Sequence, residues 1–412
     1  MEPVKKLLLI GSFDTKGKDY AFVKEQIELR GHQVVTMDIG VIGNPEQIHP
    51  TWPSELVAEW AGVTLQQLRT QGDRGYALSI MALGATKIVC ELYKEKKIDG
   101  VLGMGGTGGT SVIATIMRTL PIGFPKVLVT TAASGDTRHI VGTKDIVLIP
   151  SIVDVAGVNR ISRKMYSQAA GAVCGMAEQH VAEFNADKPI IAITMFGNTT
   201  QCVQQSMKLL DEQGYECLIF HCTGTGGRTM ESLVSDGNIA AVLDITTTEW
   251  ADELCGGVFT AGCSRLEAPG LAGIPHVIVP GCIDMVNFGP FETVPKVYKD
   301  RNLNAWNSDV TLMRTNVDEN KQLGQIFAEK ANKANGPVAI VVPTKGYSIL
   351  GENGQRFHDA EADAAFVNSL KEHIKPSIEY EELACNINDY AFSHFVVKKL
   401  LQLLKKKEGL NS

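Results

Sequence analysis

The chain of 412 residues lacks several features that would narrow its chemistry. Its nine cysteines include no C-x-x-C pair. That excludes a zinc ribbon and a dithiol redox motif, and predicts reduced core thiols in a cytoplasmic protein. There is no H-E-x-x-H, no EF-hand loop and no Cys/His cluster, so no metal ligands can be named. Without a G-x-S-x-G elbow the serine-hydrolase reading falls. Without G-x-x-x-x-G-K-[ST] the chain is not a P-loop nucleotidase. Basic charge is short, since 39 Lys and Arg stand against 46 Asp and Glu for a net charge of −7. No basic block alternates with aromatics, so a nucleic-acid partner is not expected. The Lys405-Lys406-Lys407 run closes a terminal helix, where the dipole favours cations. At the amino end, residues 1–6 precede only four strongly apolar residues, too few for a signal peptide or membrane span.

What is present is an α/β alternation. Apolar residues make up 44% and charged residues 21%, as in an ordinary globular protein, and the length calls for two domains. Short apolar runs at 5–10, 33–39, 99–104, 126–130 and 146–149 predict strands. Helical periods follow at 19–30, 111–120 and 158–183. Strands interleaved with helices imply βαβ units and mostly parallel sheets flanked by helices. Asn185-Ala186-Asp187-Lys188-Pro189 breaks the pattern, because proline disfavours helix in the residue before it. The alternation then restarts, with strands at 190–195, 216–220, 240–245, 276–279 and 338–342. Helices are expected at 199–213, from Thr229, and at 389–405. Two Rossmann-like domains are therefore predicted, over residues 1–184 and 185–412.

The most informative stretch is Gly103-Met104-Gly105-Gly106-Thr107-Gly108-Gly109-Thr110, a glycine loop between a strand and a helix. Glycine lets backbone approach a ligand closely, and the first turn of a helix offers unpaired N–H groups and a partial positive charge. Such a loop suits a phosphate. Gly103-x-Gly105-x-x-Gly108 fits the dinucleotide fingerprint literally. However, the only acid after the next strand, Asp136, lies well past the position that would hold a ribose hydroxyl, so a nicotinamide cofactor is disfavoured. Parallel-sheet logic gathers this loop with Asp14-Thr15-Lys16 and with Thr131-Ala132-Ala133-Ser134-Gly135-Asp136-Thr137. Lys16 is placed to neutralise phosphate, and Asp14 or Asp136 to hold magnesium through water.

A second glycine loop, His221-Cys222-Thr223-Gly224-Thr225-Gly226-Gly227-Arg228, has a different character. His221 stands at a strand end, and Glu231 falls one helical turn after Arg228. Glu249, Arg265, Glu267, Asp284 and Asn287 follow in the same half. Here Arg228 and Arg265 are expected to take a carboxylate or phosphate, while His221, Glu231 or Asp284 moves protons. The alternative is that these residues cap, bridge and fix loops, and His358 alone is better read that way.

Taken together, these motifs resemble the ATP-binding domain family typified by the tomato mosaic virus resistance protein. The resemblance rests on Asp14-Thr15-Lys16-Gly17, on the loop Gly105 to Thr110, and on Ser134-Gly135-Asp136-Thr137. It continues through Asp154 to Arg160, His221 to Glu231, Asp284 to Asn287 and Asn386 to Asp389. It implies ATP with magnesium on Thr15, Lys16, Gly105, Gly106, Thr107, Gly108, Gly109, Thr110, Ser134, Gly135, Asp136 and Thr137. It also implies a homodimer or higher homo-oligomer. Because the plant member continues into a TIM-barrel domain, the resemblance also implies a separately encoded barrel protein as partner. Three functions compete: an ATP-using enzyme acting on a small-molecule substrate near His221, a nucleotide-responsive module working through a partner, and a sugar-phosphate or acid-binding enzyme that does not use ATP.

Overall fold

The computed structural model describes residues 3–45, 47–179 and 188–410, without the side chains of residues 408 and 410. Residues 185–187 of the expected break and 180–183 of the expected long helix lie outside the described residues. The chain divides into two units, Met1–Glu183 and Phe184–Ser412.

Unit 1 runs β1 (Lys6–Gly11), α1 (Phe13–Leu29), β2 (Gln33–Asp38), α2 (Ser54–Trp60), α3 (Leu65–Gln71), α4 (Arg74–Lys94), β3 (Gly100–Gly105), α5 (Thr107–Met117), β4 (Lys126–Thr130), α6 (Arg138–Val141), β5 (Val147–Pro150) and α7 (Ser162–Glu178). Its sheet is parallel throughout, in the order β2-β1-β3-β4-β5. Leu7 to Ile10 and Val127 to Val129 are fully buried, as strands covered on both faces require.

Several boundaries differ from expectation. The loop expected over 11–18 is largely helix, because α1 opens at Phe13, whose N–H donates to Asp38 Oδ1 at 2.9 Å. Lys16 alone keeps non-helical angles there, at φ −128°. Helix α5 opens at Thr107 instead of Ser111, so glycines 108 and 109 are helical. The close packing of α5 on its strand rests on Gly103 in β3, where a Cβ would lie 2.5 Å from the Ile113 side chain. Helix α7 opens at Ser162 instead of Val158 because the Asn159 side chain accepts the N–H groups of Ile161 and Ser162. Helix α4 is long and apolar enough to cross a membrane. Its Met81, Ala85, Ile88 and Val89 are nevertheless core residues, and a Cβ on Gly84 would meet the Val57 carbonyl oxygen at 1.9 Å.

Unit 2 runs β6 (Ile190–Met195), α8 (Thr200–Glu212), β7 (Glu216–His221), α9 (Thr225–Ser235), β8 (Ala241–Thr246), α10 (Glu249–Cys255), α11 (Ala268–Leu271), β9 (His276–Gly281), β10 (Met285–Phe288), β11 (Leu303–Ala305), β12 (Thr311–Arg314), α12 (Val317–Asn332), β13 (Val338–Pro343), α13 (Ala360–His373), β14 (Glu379–Leu383) and α14 (Tyr390–Leu410). The main sheet, β14-β13-β9-β8-β6-β7, is parallel. A small antiparallel sheet, β10-β12-β11, has no counterpart in the strands expected from sequence. Helix α9 opens at Thr225, one turn before the expected Thr229.

Both main sheets place their first strand between the second and third. This leaves a crevice at the carboxyl ends of β1 and β3 in unit 1, and of β6 and β8 in unit 2. Ligands of open α/β sheets bind at such reversals of strand order.

Candidate functional site

In unit 1 the reversal brings the start of α1 beside the start of α5. The first bond of α5 runs from the Thr110 N–H to the Gly106 carbonyl at 2.8 Å, so the N–H groups of Thr107, Gly108 and Gly109 precede the ladder. No side-chain oxygen among the described residues accepts from them. A Cβ built on Gly106 would stand 4.0 Å from both Asp154 Oδ1 and Thr131 Oγ1, and one on Gly109 would meet nothing within 4 Å. The backbone thus has room for a neighbouring group at Gly106 and Gly109.

In several other helices a side chain satisfies one of the opening amides. Asp38 supplies α1, Asn388 supplies α8, and the side chains of Asn316 and Asp359 cap α12 and α13. The contrast with α9 is most telling, because it follows the other Gly-Thr-Gly-Gly loop. There Glu249 Oε1 accepts the N–H groups of Gly224 at 2.9 Å and Gly227 at 3.1 Å. A Cβ on Gly227 would fall 2.1 Å from Glu249 Oε2. The second loop is an anion site filled by the protein's own carboxylate.

Three further side chains shape this end of unit 1, two cations and one structural carboxylate. Lys16 Nζ donates to the Val155 carbonyl, which places the ammonium beside Asp154 and the loop after β5. Asp19 accepts the Gly157 N–H with both oxygens at 3.1 Å and the Tyr166 hydroxyl at 2.9 Å, fixing the far side of that loop. Arg74, at the start of α4, brings Nη2 within 3.3 Å of a Cβ position on Gly108. No ion pair to Arg74 occurs among the described residues, and the sequence reading missed it. Its only signal was a lone arginine at a helix start, 34 residues before Gly108.

The remaining expected residues take diverse places. Thr15 is exposed, its hydroxyl 3.5 Å from the Ser12 carbonyl. Gly105 ends β3, buried, because a Cβ there would press on Gly109 and Thr110 backbone at 3.0 Å. Thr110 is 2% exposed and bonds Thr130 Oγ1 at 2.6 Å, so its hydroxyl faces the interior and not a ligand. Ser134, Gly135 and Asp136 form an exposed turn leading to Thr137, which precedes α6. Asp136 is engaged by the Arg138 guanidinium at 2.7 Å, which holds its carboxyl far below the usual range. It is committed to a local ion pair. Asp14 Oδ2 accepts from Ile42 and Gly43, and its buried Oδ1 has no partner among the described residues. Burial raises Asp38 to about 6.

In unit 2 the expected proton-transfer set does not assemble. Arg265 is 1% exposed and its donors are all taken. Nε reaches Glu249 at 2.7 Å, Nη1 reaches Asp244 and Glu231, and Nη2 reaches Asp244 and the Thr246 carbonyl. A guanidinium with five occupied N–H groups cannot receive a substrate anion. Burial acts to raise the Asp244 carboxyl, but Arg265 outweighs it and holds the group well below its ordinary value. Glu231 accepts the N–H groups of Leu266 and Ala268 at 2.7 Å, locking the loop before α11. Asp284 belongs to a separate cluster, bonded to Ser348 at 2.6 Å, and burial raises its carboxyl. Arg228 donates to the Thr260 carbonyl at 2.9 Å. His221 is exposed and stacks on Phe196, with centroids 5.5 Å apart and planes at 21°. Thus Glu231 and Arg265 meet in one structural network, while His221 and Asp284 lie apart from it.

Comparison with known proteins adds the following. Models of the "Uncharacterised protein family (UPF0261)" match twice, the N-terminal domain over residues 5–182 and the C-terminal domain over 188–404. A UPF0261 protein of Clostridium tetani is 45% identical over 403 residues, 98% of this chain and all of that one. The ToMV resistance protein Tm-1(GCR237) of Solanum lycopersicum is 36% identical over 97% of this chain, which spans 56% of the tomato protein's length. Among solved structures, an uncharacterised protein from Bacillus cereus aligns at 12% identity and TM-score 0.29, covering 84% of this chain and all of that one. A putative UDP-N-acetylglucosamine 2-epimerase from Listeria monocytogenes aligns at 11% and TM-score 0.23, over 67% of this chain and 79% of its own. Likenesses of this size carry no functional argument.

Proposed function

We propose, starting from the fact that the chain belongs to the UPF0261 family, that unit 1 binds the polyphosphate of ATP at the start of α5. The observation that carries this reading is the pair of unlike glycine loops. The amides of Gly224 and Gly227 hold a carboxylate, whereas those of Thr107, Gly108 and Gly109 hold none. Aligned amides at a positive helix end attract an anion, and Lys16 and Arg74 add charge of the right sign. Asp154 and Thr131 stand where they can order water or a phosphate-borne cation. Among the described residues no group of three His, Cys, Asp or Glu side chains is arranged to hold a metal ion. A magnesium ion would therefore arrive with the phosphates, keep most of its water, and lean on one carboxylate, for which Asp154 is better placed than the paired Asp136. Bound there, it would neutralise phosphate charge and polarise a phosphoryl oxygen.

The engagement of Arg265, Glu231 and Asp284 in structural bonds favours a nucleotide-responsive module over an enzyme with chemistry in the His221 region. An enzyme reading keeps His221 alone of the four named groups. Assembly as a homo-oligomer and a separate barrel partner remain part of the same proposal.

Calorimetry with ATP and magnesium tests the site. Gly106→Asp leaves space for its side chain and places a carboxylate against the α5 amides, as Glu249 does at α9. The variant should fold and lose nucleotide binding at least tenfold. Undiminished binding would overturn the assignment, and sugar phosphates that bind in place of ATP would redirect it.

A further inference from the structure

Unit 2 contains a half-open cavity of about 840 Å³ beyond the carboxyl ends of β13 and β14. Its size falls within the range of small-molecule sites, roughly 300–1,000 Å³. One wall is the face of α13 carrying Asp363, Val367, Asn368 and Lys371. The opposite wall is the segment after β13, with Lys345, Glu352 and Asn353, and the rim is closed by Asn386 and Asp389. None of this belongs to the nucleotide site.

The lining carries an excess of negative charge. Lys371 is paired with Glu382, which cancels one charge of each sign. Asp363 is paired with Arg314 at 2.6 Å, but Arg314 must also serve Asp284, whose buried Oδ1 has no partner among the described residues. One guanidinium thus faces two carboxylates beneath the cavity. In the lining itself Glu352 and Asp389 remain, with only Lys345 against them. Apolar surface from Tyr347, Ala360, Ala364 and Val367 shares the lining with the amides of Asn353, Asn368 and Asn386. A ligand that gains here needs hydrogen-bonding groups for the amides, a carbon face against the apolar patches and a positive charge toward the carboxylates.

We propose that this cavity is a second binding site, and that it takes a small, polyhydroxylated or otherwise polar molecule bearing an ammonium group. Asn353 and Asn368 are positioned to meet hydroxyls, and Glu352 with Asp363 to meet the ammonium. The proposal does not depend on the nucleotide site and is tested without nucleotide, so the two can fail separately.

The experiment uses the full chain with glucosamine, glucose and gluconate, which share size and hydroxyls but differ in charge, followed by protein-observed NMR. Glucosamine should perturb resonances of α13 and of residues 344–358 saturably, at least tenfold more tightly than glucose, with gluconate weakest. Glu352→Gln changes an exposed side chain, leaves the fold intact, and should weaken glucosamine at least threefold. Asp363→Asn should weaken it further. Lys345→Gln should leave it unchanged or tighten it. Preference for gluconate, an order unaffected by Glu352→Gln, or no saturable shift at millimolar concentrations of any of the three would each overturn the proposal.

Discussion

Glu249 sits against Gly227 so closely that its carboxylate takes the place a side chain on that glycine would occupy, 2.1 Å from Oε2 to the Cβ position. The same carboxylate is held from behind by Arg265 Nε at 2.7 Å. An internal anion, its counter-ion and two backbone amides form one unit. Removing Arg265 leaves Glu249 and Asp244 without their counter-ion, which typically costs about 3–5 kcal/mol, whereas Arg265 without Glu249 still holds Asp244 and Glu231. Arg265→Met should lower unfolding stability by about that amount in urea titration, and Glu249→Gln by less. The double variant should recover part of the loss. Additive losses would show that the two charges are not coupled.

Phosphate charge at α5 should draw on Arg74 and Lys16. Charge-assisted hydrogen bonds contribute about 1.5–3 kcal/mol each, so Arg74→Ala and Lys16→Ala should each weaken ATP binding roughly tenfold or more. Neither should alter the far-ultraviolet circular dichroism. Arg74→Ala with unchanged affinity in calorimetry would remove the guanidinium from the site.

Tyr20 joins the two strands that flank the unit 1 crevice. Its hydroxyl accepts the Met104 N–H at 2.6 Å and lies 2.6 Å from the Ile10 carbonyl. Tyr20→Phe leaves a buried N–H without its acceptor and should cost about 1–3 kcal/mol. Gly11→Ala should be worse, since a Cβ there would stand 2.0 Å from the Tyr20 hydroxyl. Chemical denaturation measures both, and a stability equal to wild type for Gly11→Ala would contradict the packing described.

Asp38 gives unit 1 a pH dependence of definite sign. Burial raises its pKa to about 6, above the unfolded value near 3.9. Below about pH 4 both states carry the proton and the group costs nothing. Between there and about pH 6 the unfolded chain ionises first, so this contribution to stability falls as pH rises, then levels off. Asp38→Asn keeps an acceptor for Phe13 and Gly40 and should flatten that slope in urea midpoints taken from pH 4 to 7. An unaltered slope would mean that Asp38 ionises normally.

The strands were the most legible part of the sequence, because strands covered on both faces read as unbroken apolar runs, Leu7 to Ile10 and Ile190 to Ile193 among them. Residues 54–94, where α2, α3 and α4 lie, received no element, since no strand punctuates them. Strands β10, β11 and β12 were missed because they are short and belong to an antiparallel sheet outside the βαβ rhythm. Site residues were harder. Two Gly-Thr-Gly-Gly loops look alike in sequence, and their fates diverge only through Glu249, 22 residues beyond Gly227. Arg265 carries the charge of an anion receptor, but the convergence of Asp244, Glu249 and Glu231 upon it is a tertiary fact. Arg74 reaches Gly108 across a helix pair that nothing local announces.

A crystal structure of the full chain with ATP and magnesium is the most direct test. Phosphate oxygens should lie about 3 Å from the N–H groups of Thr107, Gly108 and Gly109, with Arg74 or Lys16 in contact. Nucleotide bound elsewhere, or a side chain seated on those amides while nucleotide is bound, would contradict the account.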